Sequence, residues 1–223
     1  MRGADADADA AAPETPRSGL ASRLGAALYD PVLALGERRG MRARRAGLLA
    51  QARGRTLELG AGTGRNLGAY PPDLDALLLI EPDAGMLHQL RRAIARSGRA
   101  VQLVPAGAEA LPLPDASVDT VVSTLVLCTV PDPRAAIAEV RRVLAPGGQF
   151  LFLEHVRADD PRLARWQDRL AVPWSAVAAG CRCNQPTRAL LDEQFTRVEA
   201  QPATWRGMPP LVHPLLLGRA AVA

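Results

Sequence analysis

The sequence predicts an α/β fold: a parallel sheet with helices on both faces. Two observations carry that prediction. Five short runs rich in Leu, Val and Phe alternate with helical stretches between residues 55 and 155, which is the pattern that parallel crossover connections require. A glycine-rich turn, LELGAGTGRN at 57–66, joins the first run to the next helical stretch, at the sheet edge where doubly wound folds bind ligands.

Taken in order, residues 1–19 are low-complexity Ala/Asp followed by Pro, Thr and Ser. They cannot bury enough apolar surface to order themselves, so a disordered tail is expected. The stretch lacks a basic start and an apolar middle, so neither a signal peptide nor a membrane anchor is expected there. Helical pattern then runs from Leu20 to Arg53, with an interruption expected near Pro31 because proline lacks the N–H a helix interior needs. Strands are expected at 55–60, 75–81, 100–105, 118–124 and 149–155, with helices at 65–70, 83–97 and 133–145. The last helix should stop at APGG, where Pro and two glycines end it and start the next strand. Two further helical stretches, 160–172 and 186–194, precede a hairpin of 195–201 and 211–221. A chain of 223 residues suits one such domain over 20–223, with N-terminal helices at 20–53.

Composition narrows the function classes. Hydrophobic residues make up 48% of the chain, enough for a sizeable core. The longest apolar run, VVSTLVLCTV at 121–130, is too short and too polar to span a bilayer. Net charge is +4 and every one of the 27 basic residues is arginine. Many lie in ERRGMRARRAGLLAQARGR at 37–55, where the apolar positions Met41, Leu48 and Leu49 are sparse. That spacing points to a solvated helix face, or to weak peripheral contact with an anionic membrane. Aromatic residues at 4% leave little for base stacking, so no nucleic-acid partner is expected. Three cysteines, an odd number, fit free thiols in a reducing cytoplasm.

The glycine loop reads Glu58-x-Gly60-x-Gly62-x-Gly64. Glycines there allow close approach of a ligand to the backbone. A dinucleotide fingerprint would need glycine at Arg65 or Leu67, and a phosphate-binding P-loop would need lysine; both fail. Glu81 ends the second strand in LLLIEPD, seventeen positions after Gly64, where an acid can accept both hydroxyls of a ribose. The segment 106–124 is a third contact region, its loop passing the sheet edge where an adenine would lie.

Together, the E-x-G-x-G-x-G loop, IEPD, AEALPLPDASVDTVVS and EVRRVLAPGGQFLFLEH resemble the class I S-adenosylmethionine (SAM) methyltransferases, in motif order from about Tyr29 to Ala221. The resemblance implies a doubly wound, Rossmann-like sheet of seven mostly parallel strands with the last antiparallel, and SAM as cofactor. It implies that Gly60, Gly62 and Gly64, with Asn66 beside them, carry the methionine end and that Glu58 supports its amino group. Glu81 would hold the ribose, followed by Pro82, and Met86 would pack near the adenine. Ala108 and Glu109 would border the adenine edge, and Thr124 and Leu125 would face the sulfonium. Many relatives have Asp two places before the Glu of the AE pair; here that place is Gly107, so adenine contacts through the backbone alone are expected.

A narrower resemblance rests on STLVLCTV, LEHV, WQDRL, the PW and AGC that follow it, ATW, and the terminal P-x-x-x-G-x-A. These resemble the methyltransferase-like 7 group of alkyl thiol S-methyltransferases and its bacterial relatives. The implied reaction is S-methylation of a small-molecule acceptor; a monomer or homodimer is expected. Residues 157–194 would cap the acceptor site, with Tyr29, Cys128, Trp166, Trp174, Cys181, Asn184 and Trp205 lining it and Arg188 helping to anchor the cap. A dry pocket favours a thiolate attacking a sulfonium but raises the thiol's pKa, so a group that helps remove the proton is needed. His155, at the carboxyl end of the fifth strand, is the candidate, as base or positioning residue, against the alternative of a hydrogen-bonded structural histidine. His88 and His213 read as structural.

Cys181 and Cys183, one residue apart, could with Cys128 and His155 supply a Cys₃His set, but the spacing matches no zinc ribbon or finger. No metal is expected; the cysteines read as pocket wall. The competing readings are N-methylation of an amine or phospholipid at a membrane surface, O-methylation of a small metabolite, and a SAM-binding interaction protein without catalysis.

Overall fold

The computed structural model describes residues 20–222; the expected disordered tail at 1–19 lies outside them. Seven strands form one sheet: β1 Arg55–Leu59, β2 Ala76–Ile80, β3 Gln102–Val104, β4 Val118–Thr124, β5 Leu144–His155, β6 Arg197–Thr204 and β7 Pro214–Ala221. Their order is β3-β2-β1-β4-β5-β7-β6. β7 runs antiparallel to both of its neighbours and the remaining pairs are parallel, as the resemblance implied. The helices are α1 Leu20–Gly36, α2 Arg42–Leu49, α3 Ala84–Ser97, α4 Pro133–Val143, α5 Pro161–Val177 and α6 Thr187–Gln194.

The central strands are apolar on both faces because both are covered. Leu57, Leu78, Val121, Phe150 and Phe152 meet Ile137, Val140, Leu190 and Leu191 of α4 and α6 on one side. Leu77, Leu79, Val122, Leu151 and Leu153 meet Leu48, Leu49 and Leu90 of α2 and α3 on the other. Asp83, Asp132 and Asp160 cap α3, α4 and α5 by accepting from backbone N–H groups of the first turn.

Two expectations about elements are corrected. The N-terminal helix is not interrupted at Pro31 but runs through it. Ala27 and Pro31 are both exposed, so water can satisfy the carbonyl that proline leaves free. The break falls instead at Arg39–Gly40, where Gly40 takes φ +119°. The stretch 65–70 forms only a 3₁₀ turn, Leu67–Ala69, since Pro71 and Pro72 follow it and proline bars helical continuation. Finally, α6, expected within the acceptor-site cap, also packs Leu190 and Leu191 into the main core.

Candidate active site

The strand order reverses between β1 and β4, and a pocket opens at their carboxyl ends. It is lined by Tyr29, Arg45, Glu58, Gly60, Ala61, Gly62, Thr63, Arg65, Asn66, Thr124 and Leu125. Gly60 and Gly62 sit at φ +52° and +57°, a region that disfavours any side chain. A Cβ on Gly60 would lie 2.8 Å from Val126, whereas one on Gly62 would meet nothing closer than 3.9 Å. Gly60 is therefore required by packing, and Gly62 leaves an open cradle over the loop.

Glu81 organises that cradle. One carboxylate oxygen accepts from Gly62 N–H at 2.8 Å, the other from Asp83 N–H at 2.9 Å. Each oxygen keeps a lone pair for a further donor, as a ribose diol would supply. Glu58 is fully enclosed and accepts from Asn66 Nδ2 and Tyr70 Oη, both at 2.8 Å. Asn66 Nδ2 also donates to Thr124 Oγ1 at 3.0 Å, and its Oδ1 accepts from Arg45 at 3.2 Å. Arg45 is itself ion-paired with Glu37. The arginines of 37–55 are thus not all solvated: Arg45 is buried and forms one wall of the pocket. From above, α1 closes over the loop, with Asp30 accepting from Thr63 Oγ1 at 2.8 Å and from Arg65 Nε at 2.6 Å. Open space over Gly62, a ribose-competent carboxylate and a polar wall backed by Glu58 make a cradle that suits SAM.

Burial pushes the Glu58 carboxyl up to about 7 against the two hydrogen bonds that oppose it, and Glu154 likewise to about 7. An acid whose pKa is raised by folding holds its proton more tightly when folded. Its contribution to stability is therefore complete below about pH 4.5 and is lost as pH rises through about 7. The ligand-free protein is expected to lose thermal stability between pH 5 and 8, and Glu58→Gln should flatten that slope in calorimetry. An unchanged slope in the variant would show that Glu58 does not titrate there.

A second cluster lies on the same edge. Cys128 follows β4 by one turn, His155 ends β5, and Cys181 lies in the turn after α5. His155 Nδ1 is 3.5 Å from Cys128 Sγ and 3.4 Å from Cys181 Sγ. The imidazole stacks on Trp205, ring centroids 5.2 Å apart, and its buried Nε2 has no hydrogen-bond partner. The neighbouring Cys128 pulls the Cys181 thiol well below its ordinary range, and His155 adds to this. The Cys181 sulfur and burial push Cys128 up. Tyr29, whose phenol burial raises to about 12, lines the first pocket.

Buried hydrogen bonds hold this cluster in place. Glu154 accepts from Ser123 Oγ and from the N–H groups of Val126 and Leu127, both at 3.1 Å. It thereby shapes the turn that starts at Leu125, a non-glycine residue at φ +61°. Arg182 N–H donates to the Cys128 carbonyl at 2.6 Å. Gln167, fully buried, accepts from Ala158 N–H and donates toward the carbonyls of Val156, Cys183 and Leu211. Glu154→Ala would leave three buried donors without an acceptor, at a cost of at least about 2 kcal/mol. Chemical denaturation should show that loss; a variant as stable as the parent would contradict this account of the turn.

The other expected residues fall variously. Trp174 is half-buried beside the cysteine cluster and Trp205 is buried against His155. Trp166 is misassigned: it is 55% exposed, next to Arg169 on the outer face of α5. Asn184 donates to Asp168, bracing the turn rather than facing an acceptor. Arg188 pairs with Asp192 on the surface of α6, so it anchors no cap. Met86 is half-buried and Pro82 exposed beside Glu81; Ala108 is buried in the core. Glu109 Oε1 is buried without a partner, near Gly107. His88 is exposed, and His213 Nε2 bonds the Met208 carbonyl at 2.7 Å. Sequence reasoning missed Arg45, Tyr70 and Gln167 and gave Glu154 no role.

A family model for a methyltransferase domain matches residues 57–152. The human thiol S-methyltransferase TMT1B is 35% identical over 198 residues, which covers 82% of this chain and 80% of that protein. The chain belongs to the class I SAM-dependent methyltransferases. A phosphatidylethanolamine N-methyltransferase of Cereibacter sphaeroides is 32% identical over 120 residues, 53% of this chain and 59% of that one. Among solved structures, a SAM-dependent methyltransferase of Thermotoga maritima superposes with a TM-score of 0.65 at 21% identity, over 87% of this chain and 94% of that one. This family member is thus an enzyme that uses SAM, and no helix among its described residues is long and apolar enough to cross a membrane.

Proposed function

We propose that this methyltransferase S-methylates a small, largely apolar thiol. The observation that carries the reading is the likeness to TMT1B over four-fifths of both chains. It is supported by an acceptor side lined with Cys128, Trp174, Cys181 and Trp205, which is mostly apolar and largely buried. Bound SAM supplies a methyl group on a positively charged sulfur. An attacking thiolate cancels that charge in the transition state, so a dry wall favours the reaction. The same dryness disfavours ionisation of the acceptor, and His155 is the group placed to assist loss of its proton. Glu81, Asn66 and Thr124 bind and orient the cofactor, while α1 excludes water above it.

A second reading, methylation of an amine on a phospholipid headgroup, is favoured by one specific feature. Leu24, Leu28, Val32 and Leu35 form an exposed apolar stripe along α1, beside the cofactor pocket. Incubation with SAM and matched thiols, amines and phenols, with products detected by mass, separates the readings. Transfer to thiols is expected; transfer only to amines or phenols would reject it.

A further inference from the structure

We infer that Cys128, His155 and Cys181 form a three-ligand site for a soft divalent ion of the zinc type, whose fourth position takes the acceptor's sulfur. The second half of this inference rests on the thiol reading; the first does not.

The three donor atoms lie within 4.8 Å of one another. In a tetrahedral zinc site, metal–sulfur and metal–nitrogen bonds of about 2.3 and 2.05 Å set sulfur and nitrogen about 3.5 Å apart. The two sulfurs stand 3.5 and 3.4 Å from Nδ1. Cys128 Sγ also reaches the Leu125 carbonyl at 3.6 Å, so each thiol has a hydrogen-bond partner, but Nδ1, with one proton or one lone pair, serves only one of its two sulfurs well. An ion between them satisfies all three donors at once.

The site is assembled from three chain segments before any ion arrives. Glu154 fixes the turn carrying Cys128, β5 fixes His155, and the Arg182–Cys128 backbone bond brings up the turn carrying Cys181. The donors suit the ion: thiolate and imidazole select zinc over magnesium or calcium. Two thiolates neutralise a divalent charge, so the ion could sit in this buried region without net charge. Cys183 is buried nearby but is outside the set, and no carboxylate joins it among the described residues. A set of three protein ligands leaves the fourth position of a tetrahedral ion to water or substrate, as in catalytic rather than closed structural sites. The Cys₃His set weighed from the sequence included Cys183 and was set aside on spacing; the fold brings together three of its members and leaves Cys183 out.

The chemistry balances. The acceptor's sulfur binds the ion and its proton passes to solvent, since a thiol on such an ion is deprotonated outright. The thiolate then forms a bond to the methyl carbon as the carbon–sulfonium bond breaks, its electron pair going to the departing sulfur. The products are a thioether and S-adenosylhomocysteine, and the weakly basic thioether leaves the ion.

The test uses the full chain stripped with chelator and dialysed against Zn²⁺ alone, with bound metal read by elemental analysis. Co²⁺ in its place should give the thiolate charge-transfer absorption of a tetrahedral site. One ion per chain is expected. Cys128→Ser and Cys181→Ser should each weaken binding by about 100-fold or more, with folding checked by circular dichroism, while Cys183→Ser should bind as the parent does. Absence of zinc binding by the parent, or unchanged binding in both serine variants, would overturn the site. Methylation of thiols should fall at least tenfold on zinc removal and return on readdition. Equal thiol methylation with and without zinc would overturn the ion's catalytic role and leave His155 acting by itself. Stoichiometric zinc with methylation of amines only would leave the metal site standing and reject the thiol acceptor.

Discussion

His155→Gln is expected to slow methyl transfer to a small thiol by roughly 10²–10⁴-fold when the pH lies below the thiol's own pKa. The loss should shrink as pH rises, because an acceptor that ionises unaided no longer needs help in losing its proton. Whether His155 acts alone or as one ligand of an ion, it serves acceptor ionisation, and the pH profile reads that directly. It stands at the end of β5 with Nδ1 between two thiols and its ring on Trp205, so glutamine removes the imidazole while keeping a polar group of similar reach. Rates measured across the pH range at saturating SAM are the check. A loss of the same size at every pH would mean that His155 only positions the acceptor.

The second large effect concerns the cofactor. Glu81→Ala should weaken SAM binding by about 1–3 kcal/mol, since ribose hydroxyls would be left without a partner. The geometry adds a local consequence. Glu81 also accepts from Gly62 and Asp83 N–H groups, so the alanine variant loosens the glycine loop as well as losing the acceptor. Glu81→Gln keeps one acceptor oxygen and should lose less. Calorimetric titration with SAM distinguishes the three proteins; equal affinity in all of them would remove Glu81 from the cofactor site.

What could be read from the chain follows from how local each signal is. The alternation of apolar runs with helical stretches is local, and the core strands lie within a few residues of where it put them. The glycine loop and Glu81 were legible for the same reason: spacing along one strand–turn–helix unit decides them. Arg45 was not, because one arginine among many carries no mark of burial; only the convergence of Glu37 and Asn66 singles it out. Trp166 and Gln167 show the opposite error. An aromatic residue is the natural choice for the inner face of α5, yet that face went to Gln167, which is aimed at three backbone carbonyls. Those carbonyls come from distant segments and leave no pattern in the sequence near Gln167. The cysteine cluster was legible in part. The sequence offered Cys128, His155, Cys181 and Cys183 together, but only the fold decides that Cys181 stands with Cys128 and His155 while Cys183, its neighbour in sequence, is left out.

The acceptor is the point on which the account turns, and one measurement reaches it directly. The protein is incubated with SAM carrying a deuterated methyl group and an equimolar mixture of an apolar alkyl thiol, its amine analogue and its phenol analogue. Products are then resolved by mass. The account predicts that the label appears on the thioether, in amounts that exceed both other products. Label on the amine or the phenol with none on sulfur would contradict it.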